Sequence, residues 1–519
     1  MGKNKIVLAE EAVNLIKAGD TIAVCGNGSL LVPDKVLEAL EKRFLTSGQP
    51  RNLTALLPVA PGALKGTGGD RLGHEGLIKR VIMSCFTPWE QGKLKDLIIG
   101  DKVEAYCFPM GTLCRLLHNI AARDPGHLTS VGLHTFIDPR YGGGKYNNVT
   151  KEDLVELVKI MGQEALLYKT YPINVSIIRG TTADEDGYIS AEWEPSTQGA
   201  LAFALAAKNT GGKVIAQVHR LTKRGTLDPR LVKIPGNLID AIVVDQDQQN
   251  THKGNNFSLV GEVQAPDDSI EPLPLTSRKV IARRAVLEIK SGDCVDLGYG
   301  IPVGVSFVAQ EEGLCDKITF CTEHGGFGGM PAEQDIFGAT VNPRAMMDSL
   351  DTFIFFDGGG LDICFLSFAQ VDRDGNVNVS RLGDVIYNTG GFIDITHRTK
   401  KVVFCGTFTA GAIKAEIGNS KLSIIHEGKY KKFLKAVDQI TQSGRAMREK
   451  GQEVLFVTER AVFRLAPEGL RLIEIAPGVD LQKDILQQME FKPIVVDKLR
   501  LMENKIFSEE PMKVLAGFD

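Results

Sequence analysis

A single carboxylate set into a run of glycines is the feature of this sequence best able to do chemistry. In Ile318-Thr-Phe-Cys-Thr-Glu323-His-Gly-Gly-Phe-Gly-Gly-Met-Pro331 a short β-branched and aromatic segment leads directly into Glu323. Gly325, Gly326, Gly328 and Gly329 follow. The apolar segment reads as a buried strand. A carboxylate at the end of a parallel strand stands at the rim where open α/β sheets take their ligands. The glycines would let a ligand approach the backbone and would leave amide N–H groups free to meet negative charge. Such a carboxylate can act as a general base or as a nucleophile. The residues leave that choice open, and a surface glutamate ahead of a flexible loop is the alternative to both.

Other common sites are absent or weakly written. No Gly-x-x-x-x-Gly-Lys-[Ser/Thr] occurs, which argues against a P-loop. Gly26-x-Gly28 and Gly298-x-Gly300 begin like a dinucleotide fingerprint, but the third glycine is displaced by Leu31 and Val303. No Gly-x-Ser-x-Gly elbow is present. Spacing alone leaves a glycosidase-type carboxylate pair open, with nothing specific supporting it. Nine cysteines (Cys25, Cys85, Cys107, Cys114, Cys294, Cys315, Cys321, Cys364, Cys405) are scattered without a Cys-x-x-Cys pair, and the nine histidines are equally dispersed. That pattern reads as reduced, mostly buried thiols and no metal site.

The elements that would carry the carboxylate repeat along the chain. Ala9, Ala12, Val13 and Ile16 recur at helical spacing, Gly19 closes that segment, and Thr21-Ile-Ala-Val-Cys25 reads as a strand running into Gly26-Asn-Gly28. The same order returns 273 residues later, with Val7/Val280, Ala9/Ala282, Lys17/Lys290, Gly19/Gly292 and Asp20/Asp293 matching. A second pair of landmarks, Asp184-Glu-Asp-Gly187 and Asp372-Arg-Asp-Gly375, is offset by only 188 residues. The first copy therefore carries 273 − 188, or 85, extra residues between the landmarks. Two related α/β halves with an insertion in the first are expected: residues 1–264, a Pro-rich acidic linker over 265–276, and residues 277–519.

Within the halves, Gly132 to Lys145 is loop-like, either a cover over a site or a structural Ω-loop. Ala200 to Lys208 is apolar on all sides and should be a buried helix. Thr352-Phe-Ile-Phe-Phe356 and Lys401-Val-Val-Phe-Cys405 read as strands ending in the glycine loops 357–362 and 406–411. Glu453–Thr458 and the segment from Ala461 read as strands. Asp480 to Glu490 reads as a charged amphipathic helix.

The bulk numbers fit a globular protein of more than one domain: 519 residues, 43% hydrophobic, 24% charged, formal charge −4. The pI near 6.2 gives no general attraction to nucleic acid or to anionic membrane. No apolar run reaches the roughly 18 residues of a membrane span, and the charged amphipathic start lacks a signal-peptide core, so a cytoplasmic location is expected.

Thr322-Glu323-His-Gly325-x-x-Gly328-Gly329-x-Pro331-Ala332 resembles the active-site motif of family I coenzyme A transferases, usually Glu-[Ser/Asn]-Gly followed by glycine-rich sequence. Phe337-Gly-Ala-Thr-x-Asn-Pro343, Asp357-Gly-Gly-Gly-Leu-Asp362, Ala369-Gln-Val-Asp, Gly375-Asn-Val-Asn-Val-Ser380, Gly406-Thr-Phe-Thr-Ala-Gly411 and the run from Asp480 look like the propionate/acetate CoA-transferase branch. Phe136-x-Asp138-Pro-Arg140-x-Gly-Gly-x-Lys145 fits as well, so the resemblance spans essentially the whole chain.

That resemblance implies two open, mostly parallel-sheet domains fused in one chain. It implies ping-pong exchange of coenzyme A between a short-chain acyl-CoA and a free carboxylate, with Glu323 as the nucleophile. The oxyanion donors would be the amides of Gly391 and Tyr299. The CoA contacts would be Gly298, Gly300, Gly358, Gly359, Gly360, Arg381, Gly406, Gly411 and Lys414, and the acyl pocket Met110 and Gly111. No cofactor beyond coenzyme A as a substrate is implied, no nucleic acid or membrane partner, and a homo-oligomer (dimer or tetramer). Two departures stand out. Met110 replaces a common Gln, which makes the pocket more apolar. His324 replaces Ser or Asn beside the nucleophile and reads as a packed or solvent-facing residue, with a supporting role behind Glu323 as the alternative. An acyl-CoA hydrolase on the same scaffold and a non-catalytic acyl-CoA sensor are the competing functions.

Overall fold

A computed structural model describes residues 4–86, 92–266, 271–387 and 389–518; part of the expected linker, 267–270, lies outside the described residues. In the first half, β1 (Thr21–Val24), β2 (Leu53–Leu57), β3 (Ile78–Met83), β4 (Glu104–Cys107), α1 (Met110–Ala122), β5 (Val175–Asp184), α2 (Ala200–Asn209), β6 (Lys213–Thr222) and β7 (Ala241–Val244) follow one another. The strands lie parallel in the order β7-β6-β5-β1-β2-β3-β4. β5 is buried along its whole length, as a strand covered on both faces must be.

The second half contains α3 (Ser277–Val286), β8 (Cys294–Leu297), β9 (Thr319–Cys321), α4 (Ser349–Asp357), β10 (Ile363–Ser367), α5 (Phe392–Arg398), β11 (Lys401–Cys405) and β12 (Glu453–Val457). These strands are parallel in the order β9-β8-β10-β11-β12. β13 (Ala461–Ala466) and β14 (Gly469–Ile475) then pair antiparallel, and β15 (Ile494–Leu501) forms the edge.

The order of β9-β8-β10-β11-β12 is that of β2-β1-β5-β6-β7, and the details repeat as well. The Lys17 amide donates to Asp20 Oδ2 at 2.7 Å and the Lys290 amide to Asp293 Oδ2 at 2.8 Å. Asp184 Oδ1 accepts from the amides of Asp186 and Tyr188, and Asp372 Oδ1 from those of Asp374 and Asn376, all at 3.0 Å. Gly187 and Gly375 complete these turns with φ of +92° and +76°, the left-handed region glycine enters without strain. The extra chain of the first half forms β3, β4, α1 and a small antiparallel sheet of Gly126–Thr129, Val155–Ile160 and Gln163–Lys169.

Some local expectations change. Thr352–Phe356 lies in helix α4 rather than in a strand. Phe353 and Phe356 are buried while Ile354 is half exposed, a helical spacing that a five-residue apolar run does not distinguish from a strand. The Asp480–Glu490 segment forms a π turn (Leu481–Ile485) and a 3₁₀ turn (Leu486–Gln488) instead of a regular helix. The first helix is a single turn, Ala9–Ala12, followed by a 3₁₀ turn.

α1 from the first half packs on α4 and α5 from the second, and one hydrophobic cluster runs continuously from Ile22 through Met110 and Phe353 to Phe404. Asp348 pins this seam. Its Oδ1 caps α4 through the Leu350 amide at 3.0 Å, and its Oδ2 accepts from Thr197 Oγ1 at 2.6 Å and the Gly199 amide at 3.0 Å. Asp348→Ala removes a helix cap and leaves two donors of the other half without their acceptor. We expect it to lower unfolding free energy by about 2–3 kcal/mol. Urea titration of both proteins measures this, and an unchanged midpoint contradicts it.

Candidate active site

Glu323 follows β9 at the carboxyl edge of the second sheet, where the main chain turns sharply. The Gly325 amide donates to the Thr322 carbonyl at 2.9 Å, the Gly326 amide to Thr322 Oγ1 at 3.2 Å and the Gly328 amide to the Phe320 carbonyl at 2.8 Å. These amides are therefore committed to the turn, which corrects the expectation of free donors beside the carboxylate. The glycines serve close packing. Gly325 has φ of +101°, and a Cβ there would overlap the Met347 carbonyl. The turn leaves the Glu323 side chain 12% exposed.

The opposing wall is the loop Thr389–Gly391, which leads into α5. The first half holds this loop: the Thr389 and Gly390 amides donate to the Ser84 carbonyl at 3.2 and 3.1 Å, and the Met110 amide donates to the Gly390 carbonyl at 3.1 Å. Gly391 then passes directly beneath the carboxylate. A Cβ built on Gly391 would stand 2.5 Å from Glu323 Oε2, so any side chain there would push the carboxylate aside. The Gly391 amide makes no hydrogen bond among the described residues. Met110 is buried beside Gly390 at the start of α1, and that helix start is fixed by Asp394 of α5. Asp394 Oδ2 accepts from the Gly111 amide at 3.0 Å, and Oδ1 accepts from the Thr112 amide at 3.1 Å and its hydroxyl at 3.3 Å. Burial, and then the nearby Asp357 charge, raise the Asp394 carboxyl well above the ordinary range. Glu323, Gly391, Met110 and Gly111 thus converge on one seam between the halves.

Gly298, Tyr299 and Gly300 follow β8 at the same sheet edge. There the Tyr299 carbonyl accepts from Ser367 Oγ at 2.8 Å and the ring stands edge-on to Phe337. Tyr299 and Gly300 line a cavity of about 250 Å³ with Arg278, Ile301, Val303, Glu333 and Gln334. Gly406 follows β11 on this edge too, and Gly411 and Lys414 lead on into the hairpin of Lys414–Gly418 and Lys421–His426.

One predicted CoA-contact loop is corrected. Gly358, Gly359 and Gly360 lie between the end of α4 and the start of β10, at the amino edge of the sheet, opposite Glu323. They follow from the turn there: a Cβ on Gly360 would overlap the Phe355 ring, and Asp362 bonds the amide at the start of β8. Arg381 reaches the first half, its Nη2 donating to the Tyr146 carbonyl at 2.7 Å, while its Nε has no hydrogen-bond partner among the described residues.

Several functional candidates carried little sequence signal. Lys432 is buried next to Gly406, its Nζ 3.9 Å from the centre of the Phe368 ring, and burial lowers it to about 7. Asp296 is buried in the middle of β8 with Oδ2 unpartnered among the described residues, and burial, then the Glu323 charge, push it up. His324 is buried, with Nε2 2.6 Å from Asn27 Nδ2 and 3.4 Å from Glu323 Oε1. A charged residue inside a β-rich run, as at Lys432 and Asp296, was the available clue. Burial of His324 was not readable, because Gly338 and Asn27 create it from distant segments.

Comparison with known proteins matches residues 6–245 to the coenzyme A transferase family. The chain is 43% identical over 515 residues to acetate CoA-transferase YdiF of Escherichia coli O157:H7, covering 98% of this chain and 96% of that protein. It is 45% identical over 519 residues to caffeate CoA-transferase of Acetobacterium woodii, covering 98% of each. The crystal structure of YdiF from E. coli O157:H7 in a thioester complex with CoA superposes with a TM-score of 0.93 at 41% identity, covering 98% of this chain and 97% of that one.

Lys432 yields a measurable consequence. Between pH 7 and its ordinary value of 10.5 the unfolded chain holds a proton that the folded chain has released, so the stability from this group rises with pH across that window and is lowest below pH 7. Lys432→Met should therefore stabilise the protein more at pH 6 than at pH 10, read as the difference from wild type in thermal midpoint. An equal effect at both values contradicts the assignment.

Proposed function

The chain belongs to the coenzyme A transferase family, and from that premise we propose that it exchanges coenzyme A between a short-chain acyl-CoA (acetyl-, propionyl-, butyryl- or acetoacetyl-CoA) and a free carboxylate such as acetate through a covalent intermediate on Glu323. The observation that carries the reading is the approach of Glu323 Oε2 to Gly391, at a sheet edge with Met110 behind it.

Glu323 Oε2 attacks the thioester carbonyl; the C–S bond breaks, giving an acyl-glutamyl anhydride and CoA thiolate. The thiolate adds to the Glu323 carbonyl carbon and expels the first carboxylate, leaving a glutamyl-CoA thioester. An acceptor acid runs these steps in reverse. A carboxylate is a weak nucleophile and an anhydride is high in energy, so each tetrahedral intermediate needs donors aimed at its oxyanion. The Gly391 amide meets the oxyanion of the incoming acyl group, and the Tyr299 amide is the second donor. Each such donor is worth about 3–4 kcal/mol. Binding along the CoA handle, with Lys432 and Gly406 on the same edge, lowers the barrier further. Met110 offers the acyl group a thioether and no charged partner, which favours small monocarboxylic acids over dicarboxylic ones.

The reading includes a cytoplasmic enzyme that works as a homo-oligomer. Nine free cysteines and no described helix long and apolar enough to cross a membrane support the location.

Incubation with acetyl-CoA followed by intact mass measurement should give one CoA adduct on wild type, and borohydride should convert the Glu323 side chain to an alcohol. Glu323→Gln should not label. Gly391→Ala, whose methyl displaces Oε2, should label at least about 100-fold more slowly. An adduct on another residue, or exchange that requires both substrates bound at once, sinks the proposal. Release of free CoA without any acceptor acid would instead indicate a hydrolase.

A further inference from the structure

The two oxygens of Glu323 have different neighbours. Oε2 packs on Gly391, while Oε1 lies 3.4 Å from Nε2 of His324. The imidazole is held in a fitted slot. Asn27 of the first half touches Nε2, Ser196 Oγ donates to the His324 carbonyl at 2.8 Å, and Gly338 faces the ring so closely that a Cβ there would overlap Cδ2. The side chain is 1% exposed, and Nδ1 has no partner among the described residues.

Two hydrogen placements fit these heavy atoms, since the Asn27 amide can turn end for end in the same space. With the proton on Nδ1, a buried N–H points at no acceptor and the Nε2 lone pair faces the Glu323 carboxylate. With the proton on Nε2, and Asn27 turned so that Oδ1 faces the ring, the N–H has that oxygen 2.6 Å away with Glu323 Oε1 next at 3.4 Å, and only a lone pair stays unmet. Orphaned buried N–H groups are the rarer and costlier defect. Turning Asn27 gives up a 3.4 Å contact to the Phe337 carbonyl and no other described bond.

We propose that His324 is a catalytic residue: its Nε2–H is the oxyanion donor for the carbonyl of Glu323 itself, complementing the Gly391 amide, which serves the carbonyl of the substrate. The inference rests on the reading of Glu323 as the nucleophile and deepens it. When CoA thiolate adds to the Glu323 acyl carbon, the C–S bond forms and the C=O π pair moves onto Oε1. Nε2–H, 3.4 Å from that oxygen before reaction, closes on it as the charge develops. The pair then returns, the anhydride C–O bond breaks and the first carboxylate leaves. His324 keeps its proton throughout.

The test measures single-turnover formation of the Glu323–CoA adduct by quenched-flow mass spectrometry at saturating acetyl-CoA, in wild type, His324→Leu and His324→Gln. Leu should slow adduct formation by about 100-fold with little change in the acetyl-CoA concentration at half saturation. Gln, whose amide can donate in the same place, should recover most of the rate. The thioester carbonyl stretch of the adduct, isolated by ¹³C-labelled glutamate, should lie lower in wild type than in the Leu variant. The ¹⁵N spectrum of wild type, assigned by the signal lost in His324→Gln, should show the Nε2–H tautomer. That last measurement needs no folded Leu variant. An Nδ1–H tautomer, or equal adduct rates and equal carbonyl frequencies in wild type and Leu, overturns the proposal. Failure of wild type to label on Glu323 at all overturns the proposed function as well, and so separates the two.

Discussion

Asp394 is buried, makes no ion pair among the described residues, and accepts three hydrogen bonds from Gly111 and Thr112. Burying a carboxyl on those terms is costly. The compensation is the amino end of α1, whose first amides and dipole face the carboxylate. Asp394 stands three residues beyond Gly391, and Gly111 is next to Met110. One contact across the two halves therefore sets how far the wall beneath Glu323 stands from the helix that supplies Met110. The second half supplies both the carboxylate and Gly391, and the first half sets Met110 against them and holds the Thr389–Gly390 loop through the Ser84 carbonyl.

The duplication shows how the halves came to differ. The Thr54 amide bonds the Asp20 carbonyl as the Thr319 amide bonds the Asp293 carbonyl. Four residues after each threonine stand Pro58 and Glu323. The loop that presents an acid in the second half has a different task in the first. The Pro58 carbonyl accepts from Ser84 Oγ at 2.6 Å, and the Ser84 carbonyl holds the Thr389 and Gly390 amides. One copy carries the reacting group, and the matching turn of the other braces the wall that faces it.

The strands and the repeat were readable because they depend on local pattern: apolar runs ended by glycine, and an Asp that folds back on its own turn at Asp184 and Asp372. Glu323 was readable for the same reason. What failed was longer in range. Thr352–Phe356 is apolar enough for either a strand or a buried helix, and the Asp348 cap with the α1 and α5 surfaces decides for helix. Gly358–Gly360 resemble a ligand loop by composition, yet chain direction puts them at the wrong edge. The glycines after Glu323 suggested free amides, whereas close contact with the Met347 carbonyl and the chain around Asn342 accounts for Gly325 and Gly329. His324 and Lys432 acquired their surroundings from segments far off in sequence.

The slot around His324 also bears on how this chain can change over generations. The imidazole and any side chain at position 338 would claim the same volume, so the two sites are coupled rather than additive. Mutations there have an order: the ring must shrink before Gly338 can be replaced, and the left-handed backbone at 338 (φ +94°) strains any replacement even then. Once a larger residue has settled at 338, histidine is barred from returning to 324. The pair works as an evolutionary ratchet beside the carboxylate, and lineages that have passed it would have to build their active sites from other side chains.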